Sequence, residues 1–249
     1  MSILTALVTG GSRGLGLAFA QELANRGYRV VLTSRDPDGM QSRNALQSLQ
    51  PHAAGHSAMQ WEIGKANASR ALLREIRSQC ISLSAAVHCA YAFMPYAPIL
   101  TMPPETFMAG VHDNLAGSYA LCQALCWHMQ KNQGGRVLLV GSWAATLGLP
   151  GQVAYCAEKC ALEGMMRVFA REFATSNVLL NMVHPGIIGT ENVMAKLDAA
   201  VLENYRRHDP AGSLLTPRDI VLASMSLLDP GQRAVTGSAL NLDGGVRLP

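Results

Sequence analysis

The sequence predicts a doubly wound α/β fold in one domain: a parallel seven-stranded sheet with helices on both faces. Three observations predict it. Short apolar or β-branched runs recur at seven places along the 249 residues, and stretches with helical spacing separate them. The runs are apolar on both faces, as strands are when helices cover both sides of a sheet. No Pro/Gly/Ser linker or internal repeat divides the chain, so residues 1–249 read as a single unit.

The strand candidates, in order, are TALVTG (5–10), YRVVLTS (28–34), SAMQWEI (57–63), AAVHCA (85–90), RVLLVGS (136–142), VLLNMV (178–183) and SALNLDGG (238–245). Helical spacing covers 17–26, 66–80, 105–131, 153–175 and 217–228. One segment departs from the alternation. Residues 187–212 are amphipathic but loosely patterned and lie between the sixth and seventh strands, at the carboxyl edge of the sheet. A substrate lid is expected there, with an added surface helix pair as the other reading.

Composition narrows the function. Apolar residues make up 49% of the chain and the formal charge is only +3, with no run of five cations. Nucleic-acid and membrane-surface roles therefore lack electrostatic support. No apolar run approaches the ~18 residues of a membrane span. The opening MSILTALVTG has neither a basic n-region nor a cleavage site, so a cytoplasmic chain is expected. Six cysteines (80, 89, 122, 126, 156 and 160) then read as free thiols. None has C-x-x-C spacing, and no metal site is expected.

The first strand runs into TGGSRGLG and then into a helix. Gly10, Gly14 and Gly16 allow positive φ and close backbone approach, so Gly10, Ser12, Arg13, Gly14, Leu15 and Gly16 can wrap a diphosphate at that helix N-terminus. The spacing is G-x-x-x-G-x-G. The second strand ends at Ser34 and Arg35, where NAD-binding sheets usually carry an acid for the ribose 2′-hydroxyl. Arg13 and Arg35 aimed at that position favour a 2′-phosphate, and hence NADP(H).

Residues 153–162, VAYCAEKCAL, put Tyr155 and Lys159 on one helix face, one turn apart. A free phenol, with a pKa near ~10, is a sluggish acid or base at neutral pH. An adjacent ammonium favours the phenolate. Ser142 ends the fifth strand, thirteen residues before Tyr155, and Asn114 lies on the preceding helix.

The set Asn114, Ser142, Tyr155 and Lys159, together with TGGSRGLG, resembles the short-chain dehydrogenase/reductase family, in its single-domain Rossmann-type branch. The similarity runs the whole length: MVHPGIIGT (182–190) looks like the family's Pro-Gly turn beside the nicotinamide, and VTGSALNLDGG (235–245) like its last strand. It is nearest to the 3-oxoacyl-thioester (acyl carrier protein) reductases. The resemblance implies that Tyr155 protonates a carbonyl oxygen as hydride arrives from NADPH, and that Ser142 orients that oxygen. Lys159 would tune Tyr155 and bind the nicotinamide ribose, while Asn114 would hold a water linking Lys159 to solvent. Pro185, Gly186, Ile188 and Thr190 would adjoin the cofactor, Glu62 and Ile63 the adenine, and Ala90 the adenosine ribose.

Where the family usually shows Asn-Asn-Ala-Gly, this chain has His88-Cys89-Ala90-Tyr91. His88 is expected to stand in for the structural Asn by bonding backbone. Any positive φ at Tyr91 would be strained. Phe93, Met94, Tyr96, Trp143, Leu147, Leu149, Ile188, Met194 and Tyr205 flank the expected site as an apolar wall, with Met94, Trp143, Leu149 and Met194 the substrate candidates. A 3-oxoacyl thioester and a hydrophobic ketone both remain open as substrates. The helix after Lys159 ends ATSNV without a cation, so a carrier-protein partner would depend on Lys131, Arg206 and Arg207. HCAYAF is also similar to the His-led segment of enoyl-thioester reductases. An enoyl reductase and a silent NADP(H)-binding protein are the alternatives. The resemblance further implies a homo-oligomer, dimer or tetramer, built through the helices carrying Asn114 and Tyr155.

Overall fold

The computed structural model describes residues 3–79, 81–194, 203, 207, 210 and 214–246. Seven parallel strands form one sheet in the order β3-β2-β1-β4-β5-β6-β7. They are β1 (Thr5–Thr9), β2 (Arg29–Ser34), β3 (Ser57–Gln60), β4 (Ala85–His88), β5 (Gly135–Val140), β6 (Val178–Pro185) and β7 (Ala239–Leu242). The chain winds outward from β1 to β3, then returns to β4 on the other side of β1. This reversal opens a crevice beyond the carboxyl ends of β1 and β4.

Every residue of β1 and β6 is buried, which is why their sequences run apolar without alternation. Period-2 geometry still sorts the side chains. Leu7, Val31, Val137 and Leu180 enter one core layer beneath α3 (Ala68–Ser78), α4 (Pro104–Lys131) and α6 (Val153–Phe173). Val8, Leu32, Val87 and Val183 enter the other, against Phe19 and Leu23 of α1 (Gly14–Asn25) and Val221 of the helix Pro217–Ser224.

Two helices were not anticipated: α2 (Met40–Gln47) and α5 (Ala144–Leu147). The α2 sequence, MQSRNALQ, buries only Ser42 and Ala45, so it carries no apolar stripe to announce it. The third strand is also shorter than 57–63, because the chain leaves the sheet at Trp61, whose Nε1 donates to Ser69 Oγ on α3 at 3.1 Å. Helix α4 opens with Pro at its first positions, where the missing N–H costs nothing. It packs alongside α6. Of the expected lid, 187–194 are described and end in a short helix, Glu191–Met194. The rest, with Tyr205 and Arg206, lies outside the described residues apart from 203, 207 and 210, and so does Cys80. Among the described residues no helix is long and apolar enough to cross a membrane, and Cys89, Cys122, Cys126, Cys156 and Cys160 are free thiols.

Candidate active site

The glycine turn sits on the crevice. Gly10 and Gly14 have φ of +64° and +55°. A Cβ on Gly16 would lie 2.3 Å from the Gly10 carbonyl oxygen, so only glycine lets helix and turn close up there. A Cβ on Gly10 would stand 3.2 Å from Cα and N of Ala90, which makes Ala90 the small partner of the turn across β1 and β4. Arg13 caps α1 in extended geometry and its carbonyl accepts from Leu17 N at 3.1 Å. Beside the turn, Ser12, Arg13 and Gly14 face Met40, Asn44 and Thr190 across a cleft of about 930 Å³. Close backbone, a helix N-terminus and an open cleft together fit a dinucleotide diphosphate.

The residues meant for the rest of the cofactor divide. Arg13 and Arg35 are exposed and have no ion-pair partner among the described residues. Ser34 is committed locally: its hydroxyl donates to Asp36 O and accepts from Asp36 N, both at 3.1 Å. Glu62 lines a groove between α3 and α4. Ile63 packs so close to α4 that a Cβ on Gly117 would lie 2.5 Å from its Cγ1. Pro185 O accepts from Trp143 N at 3.1 Å, and Gly186 N donates to Leu242 O at 3.0 Å. Ile188 bridges to Leu215, and Thr190 Oγ1 accepts from Val193 N at 3.3 Å. Leu15, on the first turn of α1, packs on the core layer of Phe19, Leu23 and Val221.

Helix α6 supplies Tyr155, half-buried, and Lys159, 6% exposed. Lys159 Nζ donates to Val140 O at 3.3 Å, which ties it to the end of β5, two residues before Ser142. Nζ stands 5.7 Å from the centroid of the Tyr155 ring. Ser142 is buried; its Oγ accepts from Ala144 N at 3.2 Å, and its own N–H donates to His184 Nδ1 at 3.0 Å. Asn114 is fully buried and holds Ala92 at both ends: Oδ1 accepts from Ala92 N at 2.9 Å and Nδ2 donates to Ala92 O at 2.9 Å. Nδ2 also donates to Gly110 O at 3.2 Å. Both amide hydrogens are therefore spent, leaving one Oδ1 lone pair for a water.

The departures from the family pattern have definite places. Thr9 Oγ1 accepts from Cys89 N and Ala90 N, both at 3.2 Å, so its one hydrogen goes to His88 Nδ1 at 2.7 Å. His88 Nε2 then donates to Ser118 Oγ on α4 at 2.9 Å. His88 thus bonds side chains, not backbone, and orders residues 89 and 90 through Thr9. Burial and the Lys159 charge lower its pKa to about 3, so it is neutral. Tyr91 does not have positive φ, and the expected strain is absent there. Its ring meets that of Tyr155 edge-on at 5.3 Å and lies 5.1 Å from Lys159 Nζ.

Of the substrate candidates, Met94 is buried against α4, where a Cβ on Gly110 would touch its sulfur at 2.4 Å. Trp143 and Leu149 are half-buried. Phe93, Tyr96, Leu147 and Met194 are exposed, as are Ile99 and Leu100 in the same loop.

Two residues beside the tetrad went unremarked in the sequence. Glu158 is 1% exposed, and its Oε2 lies 3.5 Å from Lys159 Nζ. Its signal was an acid three residues after Tyr155, on the face that must pack inward. His184, behind Ser142, gave no comparable signal, because its partners come from β5 and α6.

The chain was compared with known proteins. The family described as Enoyl-(Acyl carrier protein) reductase matches residues 10–247. A carbonyl reductase family member 4 from Danio rerio is 32% identical, covering 98% of both chains. The 3-oxoacyl-[acyl-carrier-protein] reductase FabG of Vibrio harveyi is 32% identical over 97% of this chain and 96% of its own. A crystal structure of a 3-oxoacyl (acyl-carrier-protein) reductase from Agrobacterium tumefaciens C58, with NADP bound, superposes with a TM-score of 0.85 at 27% identity. It covers 97% of this chain and 93% of that one.

Proposed function

The chain belongs to the short-chain dehydrogenase/reductase family of nicotinamide-dependent oxidoreductases, and we propose that it uses NADPH to reduce the carbonyl of a 3-oxoacyl thioester or hydrophobic ketone. The observation that carries this reading is the Lys159 ammonium, anchored on Val140 O at the end of the strand leading to Ser142 and set against the Tyr155 ring.

In this reading the nicotinamide, when bound, supplies the hydride. Tyr155 donates its phenolic hydrogen to the carbonyl oxygen. Lys159 stabilises the phenolate left behind. Ser142 Oγ already accepts from Ala144 N, so its own hydrogen is available to the same oxygen. Arg13 and Arg35, exposed and without an ion-pair partner among the described residues, receive the 2′-phosphate. Glu62, Ile63, Ala90, Pro185, Gly186, Ile188 and Thr190 line the cofactor path. Phe93, Tyr96, Ile99, Leu100 and Met194 offer an exposed apolar rim suited to an acyl chain. Lys131 and Arg207 are the cations for an acyl carrier protein. Exposed Tyr119, Trp127 and Val168 on α4 and α6 support a homo-oligomer through those helices.

The test is NADPH oxidation followed spectrophotometrically with acetoacetyl and larger 3-oxo thioesters. Turnover is expected, and Tyr155→Phe should reduce it by about 10²- to 10⁴-fold. Unchanged turnover in that variant would remove the proposed acid. The HCAYAF segment and the enoyl description of the matched family favour one second reading, an enoyl reductase. Turnover of 2-enoyl but not 3-oxo thioesters would select it.

A further inference from the structure

Taking a carboxylate and an ammonium out of water together is costly unless both are well bonded. Glu158 and Lys159 are both buried, with Oε2 and Nζ in contact at 3.5 Å, and among the described residues Oε2 has no other polar partner at hydrogen-bond distance. The Tyr91 ring lies under the same ammonium. Neither group has a part in the reaction described above.

We propose that Glu158 is a positioning residue for Lys159: it holds the ammonium between Val140 O and the Tyr91 ring and offsets part of its charge, so that Tyr155 keeps its proton more firmly. The inference rests on the carbonyl-reductase reading. A reductase needs Tyr155 protonated when the carbonyl arrives, whereas an unopposed ammonium would pull it toward phenolate. An adjacent carboxylate moderates that pull.

The surroundings leave these two charges to act. On β4 and the loop after it, burial keeps His88 neutral by lowering it to about 3 and Cys89 neutral by raising it to about 12. Burial likewise raises Tyr91 and Tyr96 above the phenol range. Helix α4 presents the uncharged Asn114 and Ser118, and β5 a carbonyl oxygen. One turn on, Glu163 is tied to Arg167 and to His184 of β6. Burial raises Glu158 itself from the carboxylate range, against the pull of Lys159.

The experiment titrates Tyr155 without substrate, from the ultraviolet phenolate band of each protein minus that of its Tyr155→Phe derivative. In Glu158→Gln the band should appear about one pH unit lower than in the parent, the low end of what a nearby charge does. The basic limb of kcat/KM for carbonyl reduction should move down with it. Glu158→Asp, which keeps the charge, should restore the parent titration. If Glu158→Gln does not fold, Glu158→Ala carries the same comparison. Superimposable titrations of parent and neutral variant, or an equal displacement in Glu158→Asp, would overturn the assignment. Absence of parental turnover would instead count against the carbonyl-reductase reading and leave the titration to judge Glu158.

Discussion

His184 Nδ1 accepts a 3.0 Å hydrogen bond from the backbone amide of Ser142. That bond requires the ring proton on Nε2, which donates to Glu163 Oε2 at 2.9 Å. The contact is close enough that a Cβ on Gly141 would stand 2.4 Å from Nδ1. The turn that presents the Ser142 hydroxyl is therefore held from β6 as well as by its own strand.

Replacing His184 with Ala leaves the buried Ser142 amide without this acceptor. A loss of about 1–3 kcal/mol in stability is expected, the cost of an unsatisfied buried donor. Urea denaturation of the two proteins checks it. Carbonyl reduction should fall in kcat more than it rises in KM, because the disturbed group is the one proposed to orient the reacting oxygen.

Arg35→Ala tests the cofactor preference. A hydrogen bond to a charged group contributes about 1.5–3 kcal/mol, so NADPH should bind roughly 10- to 100-fold more weakly. NADH binding should change little. Fluorescence titration with both reduced cofactors distinguishes the outcomes, and equal losses for the two would refute the 2′-phosphate contact.

Gly16→Ala places a methyl group 2.3 Å from the Gly10 carbonyl oxygen, and backbone cannot yield as a flexible side chain would. Overpacking of this kind costs about 1–3 kcal/mol. The diphosphate turn should open and NADPH affinity should drop along with the melting temperature. A variant of parental stability and affinity would show that the turn is not the cofactor cradle.

His88 gives the protein a pH signature. Its folded pKa, lowered to about 3, lies below the unfolded value of ~6.5, so the unfolded chain binds the extra proton first as pH falls. The stability it contributes is complete above about pH 6.5 and is lost progressively below it, by about 1.4 kcal/mol per pH unit, down to pH 3. Denaturation between pH 6.5 and 5, where ordinary carboxylates still hold their charge, should show this slope in the parent. It should be shallower in His88→Asn, which leaves the contribution of His128, whose pKa burial also lowers.

Much of the architecture was legible because the sheet makes strong local demands. Strands buried on both faces must be apolar throughout, and β1 and β6 are. The glycine turn was legible because backbone contacts such as Gly16 on Gly10 exclude every other residue. The i,i+4 relation of Tyr155 and Lys159 is fixed by helix geometry alone. Helix α2 escaped because it carries no apolar stripe, with only Ser42 and Ala45 buried and no side-chain cap at its start. His184 escaped for another reason: the atom it serves, Ser142 N, becomes its neighbour only when β6 assembles beside β5, whereas Glu158 stands next to Lys159 in the chain and only its burial was hidden. Asn114 was found, but its pair of hydrogen bonds to Ala92 could not be read from its position on a helix.

That pair of hydrogen bonds has a mechanical consequence. With both polar ends of Asn114 clasped to one residue, the segment bearing Tyr91 and Phe93 travels with a 28-residue helix as a single part. The ceiling over the Tyr155 ring is thus fastened to a long rod rather than left as a free surface loop.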